Sequence, residues 1–202
     1  RPAAWSFLAL IILYKIGDAF AGSLTTAFLI RGPGFSIAEV GAINKGLGLM
    51  ATIFGALYGG VMLARLGLYR SLMIFGILQA ISNLSFMVLA YAGKVYSIMV
   101  AAVAFENLAG GMGTAAFVAF LMALCDHRYT ATQFALLSAL ASLGRIFVGP
   151  PSGYLSHEVG WVVFFFITFL AALPGLALLY KMRRNILSLE HHQGVDDMHS
   201  SP

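Results

Sequence analysis

Six stretches of mostly apolar residues, divided by short segments rich in glycine and charge, constrain this chain more than any other feature of its sequence. A helix needs roughly 20 such residues to cross about 30 Å of hydrocarbon, and the qualifying stretches fall at about 4–30, 41–64, 71–91, 95–124, 132–156 and 161–181. The separators carry the expected breakers and charges: Arg31 to Gly34, Arg65 to Arg70, Gly93 with Lys94, Asp126 to Arg128, and His157 to Gly160. Of the 202 residues 60% are hydrophobic and only 10% charged, which is more apolar surface than a soluble core of that length can bury. The fold class this implies is an all-α membrane protein with the lipid bilayer as its solvent.

Charge placement excludes several other classes. The net charge is +4, but the basic residues fall singly at helix ends rather than in a patch, so nucleic acid is not an expected partner. Cys125 is the single cysteine, which rules out an internal disulfide and a multi-cysteine metal cage. No GxSxG elbow, HExxH pair or Walker lysine loop is present. The chain is therefore not expected to be an enzyme, and no cofactor or metal is implied. Gly46 and Gly48 followed by Ala51 mimic a dinucleotide fingerprint, but they lie inside an apolar helix with no preceding strand. The first residue is Arg1 rather than Met, and the expectation is a piece of a longer chain.

An even number of crossings puts both ends on one side. Arg1, Arg65, Arg70, Arg128, Lys181, Arg183 and Arg184 share that side, against Arg31 and Lys94 on the other. Since cytoplasmic loops are the basic ones, both termini are expected inside the cell. Residues 1–184 read as the six-helix transmembrane domain, and 185–202 as a disordered cytoplasmic tail in which polar residues displace the apolar period.

Three of the twelve Lys and Arg residues remain within helices: Lys15, Lys45 and Arg145. Asp18 and Glu106 join them. Each charge near a bilayer centre costs on the order of 2.5–3.5 kcal/mol on insertion scales, so such groups need partners or a water-filled cavity. Lys15, Asp18, Glu106 and Arg145 fall near the middles of helices 1, 4 and 5, at one level. Asp18, Gly22 and Thr25 form a stripe on helix 1, and Ser138, Ser142, Arg145 and Gly149 form one on helix 5, each at helical spacing. These stripes point to a cavity; two buried structural ion pairs are the alternative. Lys45, beside Asn44, fits either a cavity or snorkelling to the outer interface. Gln79 and Asn83 on helix 3 fit interhelical hydrogen bonding, and Asn107 stands beside Glu106.

The helices also divide into threes. Helices 1 and 4 carry acids, 2 and 5 carry cations and many glycines, and 3 and 6 carry no charge. Because helix 4 starts on the opposite side from helix 1, the expected architecture is a 3+3 inverted repeat in which helices 3 and 6 face lipid. Gly55 and Gly59 form a GxxxG pair suited to close packing, and Pro150 with Pro151 interrupts helix 5.

The segments YKIGDAFAGSLTTAFLIR from Tyr14, EVGAINKGLGLMATIFGALYGG from Glu39, FENLAGGMGTAAFVAFLMALC from Phe105 and TATQFALLSALASLGRIFVGP from Thr130 together resemble the second half of the AmpG-type muropeptide permeases, which belong to the major facilitator superfamily. Gly60, Arg65, Gly67 and Arg70 partly match that superfamily's loop motif, with Ala64 where an acid is usual. The resemblance implies one half of a major facilitator fold. It further implies proton-driven import of anhydromuropeptides (GlcNAc-anhydroMurNAc peptides) across the bacterial inner membrane for cell-wall recycling, with an influence on β-lactamase induction. A preceding half of six or more helices would supply the facing wall. On that reading Asp18 and Glu106 couple to protons, Lys15 and Arg145 attract substrate carboxylates, and Lys45, Asn44 and Asn107 add substrate contacts. The rival readings are a half-transporter for another bulky anion, such as an acyl-CoA, and a six-helix scaffold that transports nothing.

Overall fold

The computed structural model describes residues 2–126 and 129–189, with side chains from residue 4 onward except at 144 and 145. Arg1, Arg128 and residues 190–202, which enter the charge count and the tail above, lie outside the described residues. The described chain is helical throughout: α1 (Pro2–Arg31), α2 (Ile37–Ile43), a π-helical turn (Asn44–Gly48), α3 (Leu49–Leu66), α4 (Leu68–Ala92), α5 (Tyr96–Ala123) and α6 (Thr130–Lys181).

Five of these segments are long and apolar enough to cross a membrane, and the last is two crossings in one. A straight helix of 52 residues would run about 78 Å, more than twice the hydrocarbon thickness. Gly160 resolves the mismatch: its φ of 76° and ψ of 167° lie outside helical space, and only glycine enters that region cheaply. Residues 130–159 therefore form one limb and 161–181 return as a second. Gly34, Gly67 and Gly93, each at φ 80°, close the other tight turns at the sites where the sequence places separators.

Helix directions follow from which residues meet. Leu13 and Tyr14 approach Gly175, Gly17 meets Ala172, and Phe28 meets Trp161 and Phe165, so α1 runs antiparallel to the 161–181 limb. Tyr14 Oη donates to the Leu72 carbonyl at 2.8 Å and Phe28 packs edge-on to Phe86, which makes α1 parallel to α4. Tyr14 stacks on Phe117 at 5.7 Å while Thr25 reaches Glu106, so α1 and α5 cross antiparallel. Helix 3 thus packs on helix 4 as helix 6 packs on helix 1, the exchange that an inverted three-plus-three repeat demands.

Two apolar clusters cap the bundle. One, at the end carrying Arg65 and Arg70, joins Leu10, Ile11, Leu72, Phe75, Phe117, Phe120 and Leu179. The other, at the Lys94 end, joins Phe28, Leu29, Phe35, Phe86, Val103, Phe164 and Phe165. On every helix that contributes to both, a gap separates the two sets, and in that gap stand Lys15, Asp18, Gln79, Asn83, Glu106 and Asn107. The polar level is sandwiched between two oily plates.

Small residues bring α3 and α5 together. A Cβ on Gly55 would overlap the Leu108 carbonyl, one on Gly111 would overlap the Thr52 carbonyl, and one on Gly59 would stand 2.8 Å from the Met112 Cα. Backbone approach this close is how membrane helices associate where lipid offers no hydrophobic drive. The GxxxG expectation is met.

Three sequence expectations are refined. α4 shows lipid-facing residues such as Ile77, Ile81 and Val88, but its opposite face buries Gln79 and Asn83, so it faces lipid on one side only. The helix continues through Pro150 and Pro151, with the Ser152 hydroxyl donating to the Val148 carbonyl at 2.6 Å. Residues 183–189, partly within the stretch expected to be disordered, are helical, and Ile186 is fully buried in the cluster around Leu10 and Phe120. The apolar spacing of Ile186 and Leu189 docks this segment where net polarity suggests none.

Overpacking a tight helix contact costs about 1–3 kcal/mol, so Gly55→Val and Gly111→Val are each expected to lower the thermal unfolding midpoint in detergent by several degrees. Gly60→Ala, whose added Cβ meets nothing within 4 Å, is expected to leave it unchanged.

Candidate functional site

The gap between the two apolar plates opens into a groove of about 370 Å³ walled by α1, the π-helical turn, α3 and α5. Lys15, Asp18, Gly22, Thr25 and Thr26 come from α1, Asn44 from the π turn, Thr52 from α3, and Glu106, Asn107, Gly110, Gly111 and Thr114 from α5. Nothing stands within 4 Å of a Cβ on Gly22 or Gly110, and this missing bulk opens the groove. The α1 stripe anticipated by the sequence does line a cavity.

Lys15 and Asp18 pair across three residues of α1. The Nζ to Oδ2 distance is 3.5 Å, and the side chains are 12% and 30% exposed. The ammonium also lies 5.4 Å from the centroid of the Phe117 ring, so its second side is covered by an aromatic face that attracts cations. A separation of 3.5 Å is a loose ion pair, one that a competing carboxylate can enter.

Glu106 sits opposite. Thr25 Oγ1 lies 3.4 Å from Glu106 Oε1 and 2.9 Å from the Ala21 carbonyl, and among the described residues no cation lies within 4.0 Å of Glu106. The groove therefore holds two carboxylates and one ammonium from described side chains, on two helices that cross antiparallel. Burying a charge without a counterion is costly, and this set leaves one carboxylate without a cation among the described side chains.

The other anticipated residues are placed as follows. Asn107 lines the groove with its amide engaged: Nδ2 donates to the Val103 carbonyl at 2.8 Å, and Thr52 Oγ1 donates to Oδ1 at 3.1 Å. Asn44 lines the groove, whereas Lys45, next to it in the π turn, is exposed and outside the lining. Consecutive residues of a helix point about 100° apart, which is enough to part these neighbours, and the π turn lies between Val40 in the outer core and Gly48 against Asn107. Arg145 has its backbone in α6, one turn beyond Ser142; its side chain lies outside the described set. Ser138 and Ser142 border an adjacent cavity that they share with Lys15 and Thr114. Lys15 thus stands at the boundary of two cavities.

Sequence reasoning assigned Gln79 and Asn83 to interhelical hydrogen bonding and left them out of the site. The structure buries both, at 6% and 3% exposure, around an enclosed cavity that they share with Asp18 and Tyr14. Their spacing of one helical turn and their depth were the available signals. The lining hydroxyls of Thr26, Thr52 and Thr114 carried none, since threonine is ordinary in membrane helices, whereas Thr25 belongs to the α1 stripe.

Removing one member of a fully buried ion pair costs roughly 3–5 kcal/mol, and the partial exposure of Asp18 reduces this. Lys15→Met is accordingly expected to lower stability in detergent, and Lys15→Met combined with Asp18→Asn to recover most of the loss. A double-mutant cycle on the unfolding midpoint checks this; additive effects would mean that the two side chains do not interact.

Comparison with known proteins agrees with this architecture. The family model for the Major Facilitator Superfamily matches residues 3–193. The chain is 56% identical over 186 residues to the anhydromuropeptide permease of Escherichia coli strain K12, covering 92% of this chain and 38% of that protein. It is 34% identical over 186 residues to the putative transporter AmpG 4 of Rickettsia conorii, covering 92% of this chain and 45% of that protein. It is 36% identical over 185 residues to an uncharacterized protein of Haemophilus influenzae, covering 88% and 43%. The chain thus spans less than half the length of each of these relatives. With six crossings in an inverted repeat around a polar groove, it is an all-helical half of a transporter fold and belongs to the major facilitator superfamily.

Proposed function

We propose that this chain is the C-terminal half of an anhydromuropeptide permease that imports GlcNAc-anhydroMurNAc peptides across the bacterial inner membrane by proton symport. The observation that carries the reading is the groove in which Lys15, Asp18 and Glu106 meet at one level, in a chain 56% identical over most of its length to the anhydromuropeptide permease of Escherichia coli. The half of the protein that precedes this one supplies the opposite wall, and the cavity between the halves receives the substrate. Both termini are cytoplasmic, because the loops and ends at the Arg65 side carry the excess of Lys and Arg.

The mechanism follows from charge. Muropeptide stems carry carboxylates, and Lys15 is the described cation in the groove, held by Asp18 at 3.5 Å. A proton on Asp18 removes the charge that holds Lys15, and the freed ammonium binds a substrate carboxylate. Substrate bound to Lys15 in turn withdraws the counterion from Asp18, which favours its protonation. Proton and substrate then raise each other's affinity, the reciprocal linkage that symport requires. Glu106, bonded to Thr25, is the second proton carrier. Arg145 is the second substrate cation, Asn44 and Asn107 add polar contacts, and Lys45 draws the anionic substrate toward the groove mouth.

In the full-length permease, Asp18→Asn is expected to reduce proton-driven accumulation of labelled anhydromuropeptide at least tenfold, and Lys15→Ala to weaken substrate binding by about tenfold or more, the value of one charge-assisted hydrogen bond. Proteoliposome uptake with and without a pH gradient measures both. If Asp18→Asn and Glu106→Gln each accumulate substrate normally, the proton assignment fails. If excess acyl-CoA competes as strongly as muropeptide, the cargo assignment fails.

A further inference from the structure

Asp18 has two sides. Toward the groove it meets Lys15; away from it, the carboxyl helps to line an enclosed cavity closed by Tyr14, Gln79, Asn83, Ala172 and Leu176. Gln79 is the unusual member. It is 94% buried, and its Nε2 donor has no hydrogen-bond partner among the described residues. A buried donor left unpaired costs about 1–3 kcal/mol, and such groups in native proteins generally have a partner in another state of the molecule.

The amide is also held in place. A Cβ on Gly113 of α5 would lie 2.5 Å from Gln79 Oε1 and 2.9 Å from Nε2, so the glycine leaves the room in which the carboxamide sits. Tyr14 does not compete for it, since its hydroxyl is committed to the Leu72 carbonyl at 2.8 Å. The neighbouring limb offers only Ala172 and Leu176 to this cavity.

We infer that Gln79 is a positioning residue for the proton on Asp18. An ionised Asp18 turns toward the Lys15 ammonium. A neutral Asp18 no longer gains from that cation and pairs with a carboxamide instead: its O–H donates to Gln79 Oε1 while its carbonyl oxygen accepts from Gln79 Nε2–H. The proton that arrives on the carboxyl stays there as the donated O–H, and the unpaired donor is satisfied in the same step. α4 thereby holds Asp18 away from Lys15 for as long as the substrate carboxylate needs the ammonium. Asn83, one turn along α4, borders the same cavity and offers a second amide. Among the described side chains, the charged groups facing Asp18 are Lys15 on α1 and Glu106 on α5, and α4 contributes no charge there.

This inference rests on Asp18 as the proton carrier, and the test separates the two claims. In the full-length permease in proteoliposomes, the pH dependence of labelled anhydromuropeptide uptake is measured for Gln79→Leu. Losing two hydrogen bonds to the neutral carboxyl is expected to make it harder to protonate, moving half-maximal uptake about 0.5–1 pH unit toward acid. An unchanged pH profile, or a uniform loss of uptake with no shift, overturns the proposal. Infrared difference spectra of the wild type cover the case in which the leucine variant does not fold. The protonated-carboxyl C=O band abolished by Asp18→Asn is expected at the lowered frequency of a doubly hydrogen-bonded acid, and the frequency of a free acid overturns the proposal. If Asp18→Asn leaves proton-driven uptake intact, the underlying assignment of Asp18 fails whatever Gln79 does.

Discussion

Three ionisable side chains at one level of two crossed helices set the terms for the rest of this structure. Lys15, Asp18 and Glu106 are each costly to hold in hydrocarbon, and their penalties are met locally: an ion pair, an aromatic face under the ammonium, and a threonine hydroxyl on the second carboxylate. What makes that level tolerable is also what gives the bundle its strength. The apolar clusters around Phe75 and Phe120 at one end and around Phe86 and Phe165 at the other close off lipid and solvent above and below the polar layer. Charge at the middle and oil at both ends are one arrangement, because the bundle can carry the first only where the second seals it.

The inverted repeat gives this arrangement its geometry. α1 and α5 occupy equivalent places in the two triplets and cross antiparallel, so their midpoints coincide, and midpoint residues from both reach the same space. A carboxylate near the middle of each helix therefore becomes a pair facing one groove. Small residues maintain the closeness on both sides: Gly55, Gly59 and Gly111 between α3 and α5, and Gly17 and Gly175 between α1 and the 161–181 limb. Two of the contacts that hold the repeats together thus rely on the same device, a backbone laid on a backbone.

Hydropathy made the six crossings legible, because a bilayer demands length and apolarity of each segment regardless of what it packs against. The interior charges were legible for the same reason, since Lys15, Asp18 and Glu106 violate a rule that the rest of the sequence obeys. Other features depend on pairwise fit and leave no periodic trace. The π turn at Asn44–Gly48 depends on where Val40 and Gly48 are anchored by other helices. The two faces of α4 could not be told apart, because lipid and protein interior both accept Ile, Leu and Phe. Gln79 stands one turn from Asn83, but the room for its amide is made by Gly113, a residue on a different helix. The helix at 183–189 was hidden by averaging, since Ile186, Leu187 and Leu189 stand among Arg183, Arg184, Asn185 and Ser188 and still reach the core.

Lys15 is where the groove chemistry meets the mobility of the fold. It borders the main groove and also the cavity formed with Phe134, Ser138 and Ser142 of the 130–159 limb. That limb shows large apolar side chains to the outside, among them Leu136, Leu143, Ile146, Phe147 and Tyr154, and it carries Gly149, Pro150, Pro151 and Gly153 in succession. Prolines lack the N–H that would tie the turn before them, and glycines have no side chain to lock a packing angle, so the limb bends at lower cost than its neighbours. A bend there changes the width of the cavity beside Lys15 without disturbing α3 and α5, which are locked backbone to backbone. The surroundings of the ammonium are thus shared between the main groove and the 130–159 limb, which lines the second cavity beside it.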